Sequence, residues 1–100
     1  MPAFRAEVPH SLGQEEATKR LRGFMDEVQK RFADEISAVD GAWTDHVLNF
    51  SLSTNGITIK GALSVEADTA RVEGQLPLLA TPFKGMIEKS IASELAQALA

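Results

Sequence analysis

His10 stands beside Ser11 and just ahead of Glu15 and Glu16, and the chain has one other histidine, His46. A histidine next to a hydroxyl, with carboxylates nearby, is the residue set of acyl transfer. That chemistry also requires the base to reach the hydroxyl, an acid to orient the base, and donors for an oxyanion. Neighbouring side chains on an extended segment point apart, and no G-x-S-x-G elbow occurs in the sequence. Ser11 is better used as a helix cap, because Gln14 follows at capping-box spacing. The two histidines could hold a metal with Asp45 or Glu7, but no ligand spacing ties them together. No catalytic, metal or cofactor site is therefore assigned, and the chain is not expected to be an enzyme. Trp43, the sole tryptophan, is expected to cover an edge of the core. His10, Trp43, His46, Phe83 and Lys84 remain as a candidate partner or ligand surface.

The elements that would position these residues follow from periodicity. Phe4, Ala6 and Val8 alternate with Arg5 and Glu7, which predicts a half-buried strand that stops at Pro9. From about Leu12, Ala17, Leu21, Phe24, Met25, Val28, Phe32 and Ile36 recur at steps of three and four, the stripe of one long helix. Its acids lie four residues ahead of bases, at Glu15 and Lys19, Glu16 and Arg20, Asp26 and Lys30, Glu27 and Arg31, the pattern of a solvated face. Asp40-Gly41 reads as a turn. Three alternating strands follow, carrying His46, Leu48, Phe50 and Leu52, then Ile57 to Ala67, then Ala70 to Leu78. Asn55-Gly56 supplies a hairpin between the first two. Gly61 and Gly74 fall on the apolar faces of adjacent strands, a sign of close packing or curvature. Thr81 is the expected cap and Pro82 the first position of a last helix, with Phe83, Met86, Ile87, Ile91, Leu95 and Leu99 as its buried stripe.

The expected fold is therefore α+β in one domain over residues 1–100, ordered β-α-β-β-β-α. It has a four-stranded, mainly antiparallel twisted sheet with two helices packed on one face. The other face, with Arg5, Glu7, Lys60, Glu66, Arg71 and Glu73, is wet and of mixed charge. It either meets solvent or, with the sheet edge, pairs two copies as a homodimer.

Composition excludes several functions. The chain has 100 residues, 44% of them hydrophobic and 24% charged, an ordinary globular balance. No cysteine is present, so disulfides, thiolate catalysis and cysteine-bound metals are excluded. A net charge of −4 argues against nucleic acid, which needs clustered Lys and Arg. No apolar run approaches the roughly 18 residues of a membrane span. "MPAFRAEVPH" lacks the basic start and apolar core of a secretory leader, so a cytoplasmic protein is expected.

Two motifs, "PHSLGQEEA" and "LLATPFKGMIEKSI", separated by three alternating strands, carry a resemblance from about Phe4 to Leu99. The residues are His10, Ser11, Leu12, Gly13 and Ala17, then Leu48, Phe50 and Gly56, then Leu78, Leu79, Pro82, Lys84, Gly85, Ile87, Glu88 and Ile91. In this order the chain resembles the polyhydroxyalkanoic acid system proteins, small bacterial proteins associated with storage-granule gene regions. It departs from them in the longer segment "DEISAVDGAWTDH" and in Thr81 before the proline, where a serine or similar small cap is expected. The resemblance implies a non-enzymatic accessory of polyhydroxyalkanoate storage metabolism, with the polymer granule surface or granule proteins as partners and a location at storage granules. The alternative is a small apolar-ligand binder for an acyl or hydroxyacyl group. It rests on the likeness of a sheet and long C-terminal helix to the helix-grip folds, which usually carry about twice the strands expected here.

Overall fold

The computed structural model describes residues 3–54 and 56–100. Strand β1 spans Ala3–Pro9, helix α1 Gln14–Leu21, helix α2 Phe24–Arg31, and strands β2 to β5 span Ile36–Thr44, Val47–Thr54, Ile57–Val65 and Thr69–Gln75. A 3-10 helix over Leu78–Phe83 leads into α3, Lys84–Leu99. The strands form one antiparallel sheet in the order β1-β5-β4-β3-β2.

The α+β class and the antiparallel sheet are as expected, but the sheet has five strands and not four. The additional strand is β2, in the segment read as a turn. Val39, Gly41 and Trp43 pair with Leu52, Phe50 and Leu48, so they share the core face of β3. Gly41 hides the alternation because it contributes no side chain, and an added Cβ there would meet Leu48 Cδ1 at 3.0 Å. A bulge between Ile36 and Ala38 starts the strand, and Ile36, expected at the end of the helix stripe, begins β2 instead.

The long first helix is two short ones. Gly23, a poor helix former, sits between them as the N-cap of α2. Gly13 caps α1 at φ +81 with no side-chain bond, which corrects the expected Ser11–Gln14 box. Gln14 turns its amide to the sheet, where Nε2 donates to Val65 O at 2.9 Å. Of the four expected charge pairs the structure holds Glu16–Arg20, at 3.5 Å. Glu15 turns to His46 and Arg31 to Glu94.

One face of the sheet is dry throughout. Across the register Phe4, Ala6 and Val8 oppose Gly74, Val72 and Ala70, which oppose Gly61, Leu63 and Val65. Gly61 and Gly74 are direct cross-strand partners, and the rings of Phe50 and Phe4 lie over the bare backbone. Onto this face α3 lays Ile87, Ile91, Leu95 and Leu99, one residue per turn, with Leu95 fully buried. Phe83 and Met86 depart from the expected stripe and are exposed. The helix begins only at Lys84, capped by no side chain, so Thr81 is not its cap. Leu78, expected in a strand, lies in the 3-10 helix and is exposed.

The wet face neutralises its own charge. Arg71 lies 2.8 Å from Glu66 and 3.2 Å from Glu73, and Arg5 lies 2.9 Å from Glu7, which holds the Arg5 guanidinium above its ordinary pKa. The β1 edge is covered, since Glu88 of α3 accepts the Arg5 backbone N–H at 2.8 Å. Asn55 of the expected hairpin lies outside the described residues, and Gly56 has φ +78.

Candidate functional site

The dry face of the sheet is not fully covered by the helices. A cavity of about 300 Å³ lies between the dry face of the sheet and the helices α2 and α3, at the lower end of the size range of small-molecule sites. Its floor is Leu48, Phe50 and Leu52 from β3, Ile59 and Leu63 from β4, and Val72 from β5. Phe24, Met25 and Val28 of α2 form one wall together with Phe32, and Met86, Ile87 and Ile91 of α3 form the other. Only Ser90 and Glu94, both on α3, bring polar side chains to it among the described residues.

The wall explains why α2 folds as it does. Phe24, Met25 and Val28, with Phe32 just past its end, fall on one side at helical spacing, yet none of the helix is buried. All four are half-buried and line the cavity, and Phe24 and Met25 also pack against the edge of the core. By contrast, α1 buries Ala17, Thr18 and Leu21 completely. The same stripe thus serves as core in its first half and as cavity wall in its second. An enclosure so apolar can hold a hydrocarbon chain through burial of its surface. It offers no group to polarise a reacting bond except at the Ser90–Glu94 rim.

None of the five residues singled out in the sequence lines this cavity. His10 follows β1, where its backbone N–H donates to Asp68 O at 2.8 Å. Its ring spans the loop, with Nδ1 accepting the Leu12 N–H at 3.2 Å and Nε2 3.0 Å from Glu66 O. The ring therefore ties the approach to α1 onto the end of β4. Trp43 is half-buried against the core on β2, as a cover on its edge. His46 occupies the two-residue turn between β2 and β3, beside Asp45 at φ +55. Phe83 and Lys84 are exposed where the 3-10 helix meets α3. The structure brings the two histidines to the same strand end, for Val65 donates to His46 O at 2.9 Å while the next residue, Glu66, meets His10. It sets Phe83 and Lys84 apart from them, at the junction of the 3-10 helix and α3.

His46 makes a second constellation that the sequence does not reveal. Its Nδ1 lies 2.9 Å from Thr18 Oγ1 and its Nε2 lies 3.2 Å from Glu15 Oε1, the order of hydroxyl, base and acid in a catalytic triad. Thr18 is nevertheless only 1% exposed, and its hydroxyl lies 2.7 Å from Gln14 O within α1. No substrate can approach it. The arrangement fastens α1 to the β2–β3 turn and keeps one end of the fold closed.

Residues 5–99 match the family described as "Putative polyhydroxyalkanoic acid system protein". The chain belongs to this family. In this member of the polyhydroxyalkanoic acid system proteins an apolar cavity lies between helix and sheet. No curated protein matches the sequence. Among solved structures the fold is similar to DynU16, a protein in the dynemicin biosynthetic locus, with a TM-score of 0.63 and 15% identity over 97% of this chain. The chain spans 46% of DynU16's length. It is also similar to TTHA0849 from Thermus thermophilus, with a TM-score of 0.59 and 12% identity, over 98% of this chain and 94% of that one. At these identities the likeness is one of fold.

Proposed function

We propose that this polyhydroxyalkanoic acid system protein is a non-enzymatic accessory of polyhydroxyalkanoate metabolism that holds an acyl or hydroxyacyl chain between α2, α3 and the sheet. The observation that carries the reading is the apolar cavity of about 300 Å³. The space is partly open to solvent and is far larger than the voids of an ordinary core, which rarely exceed a water molecule. At about 30 Å³ per water-sized group, the space takes on the order of ten methylenes. Straight-chain acids and 3-hydroxy acids from about four to fourteen carbons, titrated by calorimetry, test this. Affinity should rise about fourfold per methylene, the value of 0.8 kcal/mol of burial, and level off near ten. Binding that is absent, or indifferent to chain length, would refute it.

A second reading draws on a different observation. Leu78 is 75% exposed and Leu79 84%, and with Phe83 and Met86 they form an apolar surface around the start of α3. Large exposed aliphatic side chains in sequence neighbourhood mark contact sites, and Met86 also lines the cavity. This surface, flanked by Lys84, suits the granule surface or a granule protein, which would place the protein in the cytoplasm at storage granules. Sedimentation with purified polymer granules tests it: the parent should pellet and a Leu78→Ser/Leu79→Ser variant should stay in solution. Equal pelleting of both refutes the assignment to this patch. A homodimer through the sheet edge would use β2, since β1 is covered by α3. Sedimentation velocity should then show a dimer that proline at Asp40 abolishes.

A further inference from the structure

The apolar cavity shares part of its wall with a second one. Phe24, Val28 and Glu94 also border this second, polar cavity of about 350 Å³, which adds the polar side chains of Arg20, Glu27, Arg31 and Gln97. The charged residue that borders both spaces is Glu94 on α3, and it is ion-paired with Arg31 on α2, which lines the second. Glu94 is the one ionisable residue lining the apolar cavity among the described residues, and its side chain is 19% exposed. A guanidinium presents five N–H donors. Arg31 spends Nη1 on Glu94, while its Nε and Nη2 have no partner among the described residues. Arg20 directs Nη1 to Ala100 O at 2.6 Å and Nε to Glu16.

We infer that the polar cavity is the head-group site of the same ligand, and that the ligand ends in a carboxylate received by Arg31. This rests on the cavity reading above and specifies the chemistry at its open end. A chain in the apolar space whose head lies at Glu94 meets the cation paired with that carboxylate, Arg31, whose Nε and Nη2 are unspent among the described residues. A carboxylate matches the guanidinium fork with two parallel hydrogen bonds, which an alcohol or an ester cannot supply. Glu94 is then the resident competitor. It neutralises Arg31 in the empty protein, and the ligand carboxylate shares or takes that cation when it binds.

Decanoic acid and 1-decanol, titrated at neutral pH into the parent, Arg31→Gln and Glu94→Gln proteins, separate the possibilities. The acid should bind the parent about tenfold or more tightly than the alcohol, the scale of one charge-assisted pair. Arg31→Gln should remove that advantage and leave the alcohol unchanged. Glu94→Gln should act with the opposite sign, tightening the acid several-fold without affecting the alcohol, a result that loss of structure could not mimic. Equal binding of acid and alcohol to the parent, or no differential response to either substitution, overturns the head-group assignment while leaving the cavity reading intact. Failure of both ligands to bind the parent refutes both.

Discussion

Replacing Gly74 with alanine should be among the costliest single-methyl changes available in this protein. The added Cβ would lie 2.3 Å from the carbonyl oxygen of Lys60 and 2.6 Å and 2.7 Å from two atoms of the Phe4 ring. Gly74 has no positive φ, so the cost is collision and not backbone strain. Phe4 is 2% exposed and cannot swing into solvent. The Lys60 oxygen belongs to the β4 backbone, so relief requires the strands to part at the Gly61–Gly74 pair. Overpacking typically costs about 1–3 kcal/mol, and a backbone contact this short belongs at the upper end, about 3 kcal/mol. For a domain of this size that is a fall of roughly 10–25 °C in Tm. Urea denaturation should show a lower midpoint at constant slope. Gly61→Ala should cost less, about 2 kcal/mol, because its nearest obstacle is the Glu73 oxygen at 2.6 Å and the Phe50 ring stands at 3.0 Å. The double variant should cost less than the sum, because strands already parted for one methyl accommodate the other. Phe50 lines the cavity and Phe4 does not, so Gly61→Ala should also weaken acyl binding. A Gly74→Ala protein within about 0.5 kcal/mol of the parent would show that the two strands yield freely, and would refute the reasoning.

Three other substitutions probe the cavity and its supports. Val72→Phe projects a ring from the cavity floor, so it should abolish chain binding in calorimetry with a stability change within about 1 kcal/mol; in a filled core it would cost about 1–3 kcal/mol. Thr18→Val keeps the shape but leaves His46 Nδ1 without its partner. It should cost about 1–2 kcal/mol by denaturation, whereas Glu15→Ala, at a side chain 88% exposed, should cost less than about 1 kcal/mol. Gly23→Ala meets nothing within 4 Å at φ −92 and should raise stability by about 0.5 kcal/mol, read as a higher Tm.

Alternation with period two was enough to place β1, β3, β4 and β5, because each has one face on a continuous dry surface. It failed at β2 for a specific reason. Val39, Gly41 and Trp43 do alternate, but the middle position is a glycine whose place on the core face is filled from the neighbouring strand. Asp40-Gly41 is also a turn signal in any other setting. The helix boundaries failed through chemistry that acts at a distance. Ser11 and Gln14 have capping-box spacing, but Gln14 is claimed by the Val65 carbonyl fifty-one positions away. Glu15 and Arg31 are likewise claimed by His46 and Glu94 rather than by their neighbours in the helix. Local pairs worth a few tenths of a kcal/mol give way to partners that the fold brings closer.

The cavity was hidden for a different reason. A helix that packs on a core and a helix that walls an empty space need the same apolar stripe, since both must keep water from one side. Periodicity measures which side is apolar and is silent on how much volume that side encloses. The distinction lies in the shortfall of burial: Phe24, Met25, Val28 and Phe32 are large side chains, and α2 buries none of its residues. The stripe continues from α1 without a break in pattern, and only the Gly23 hinge marks where its role changes. Had α2 continued straight from α1 and closed on the sheet, the Arg31–Glu94 pair would have had nothing to border. The residues that line the apolar space and the Arg31–Glu94 pair thus all lie on the far side of Gly23 from α1 or on the sheet and α3.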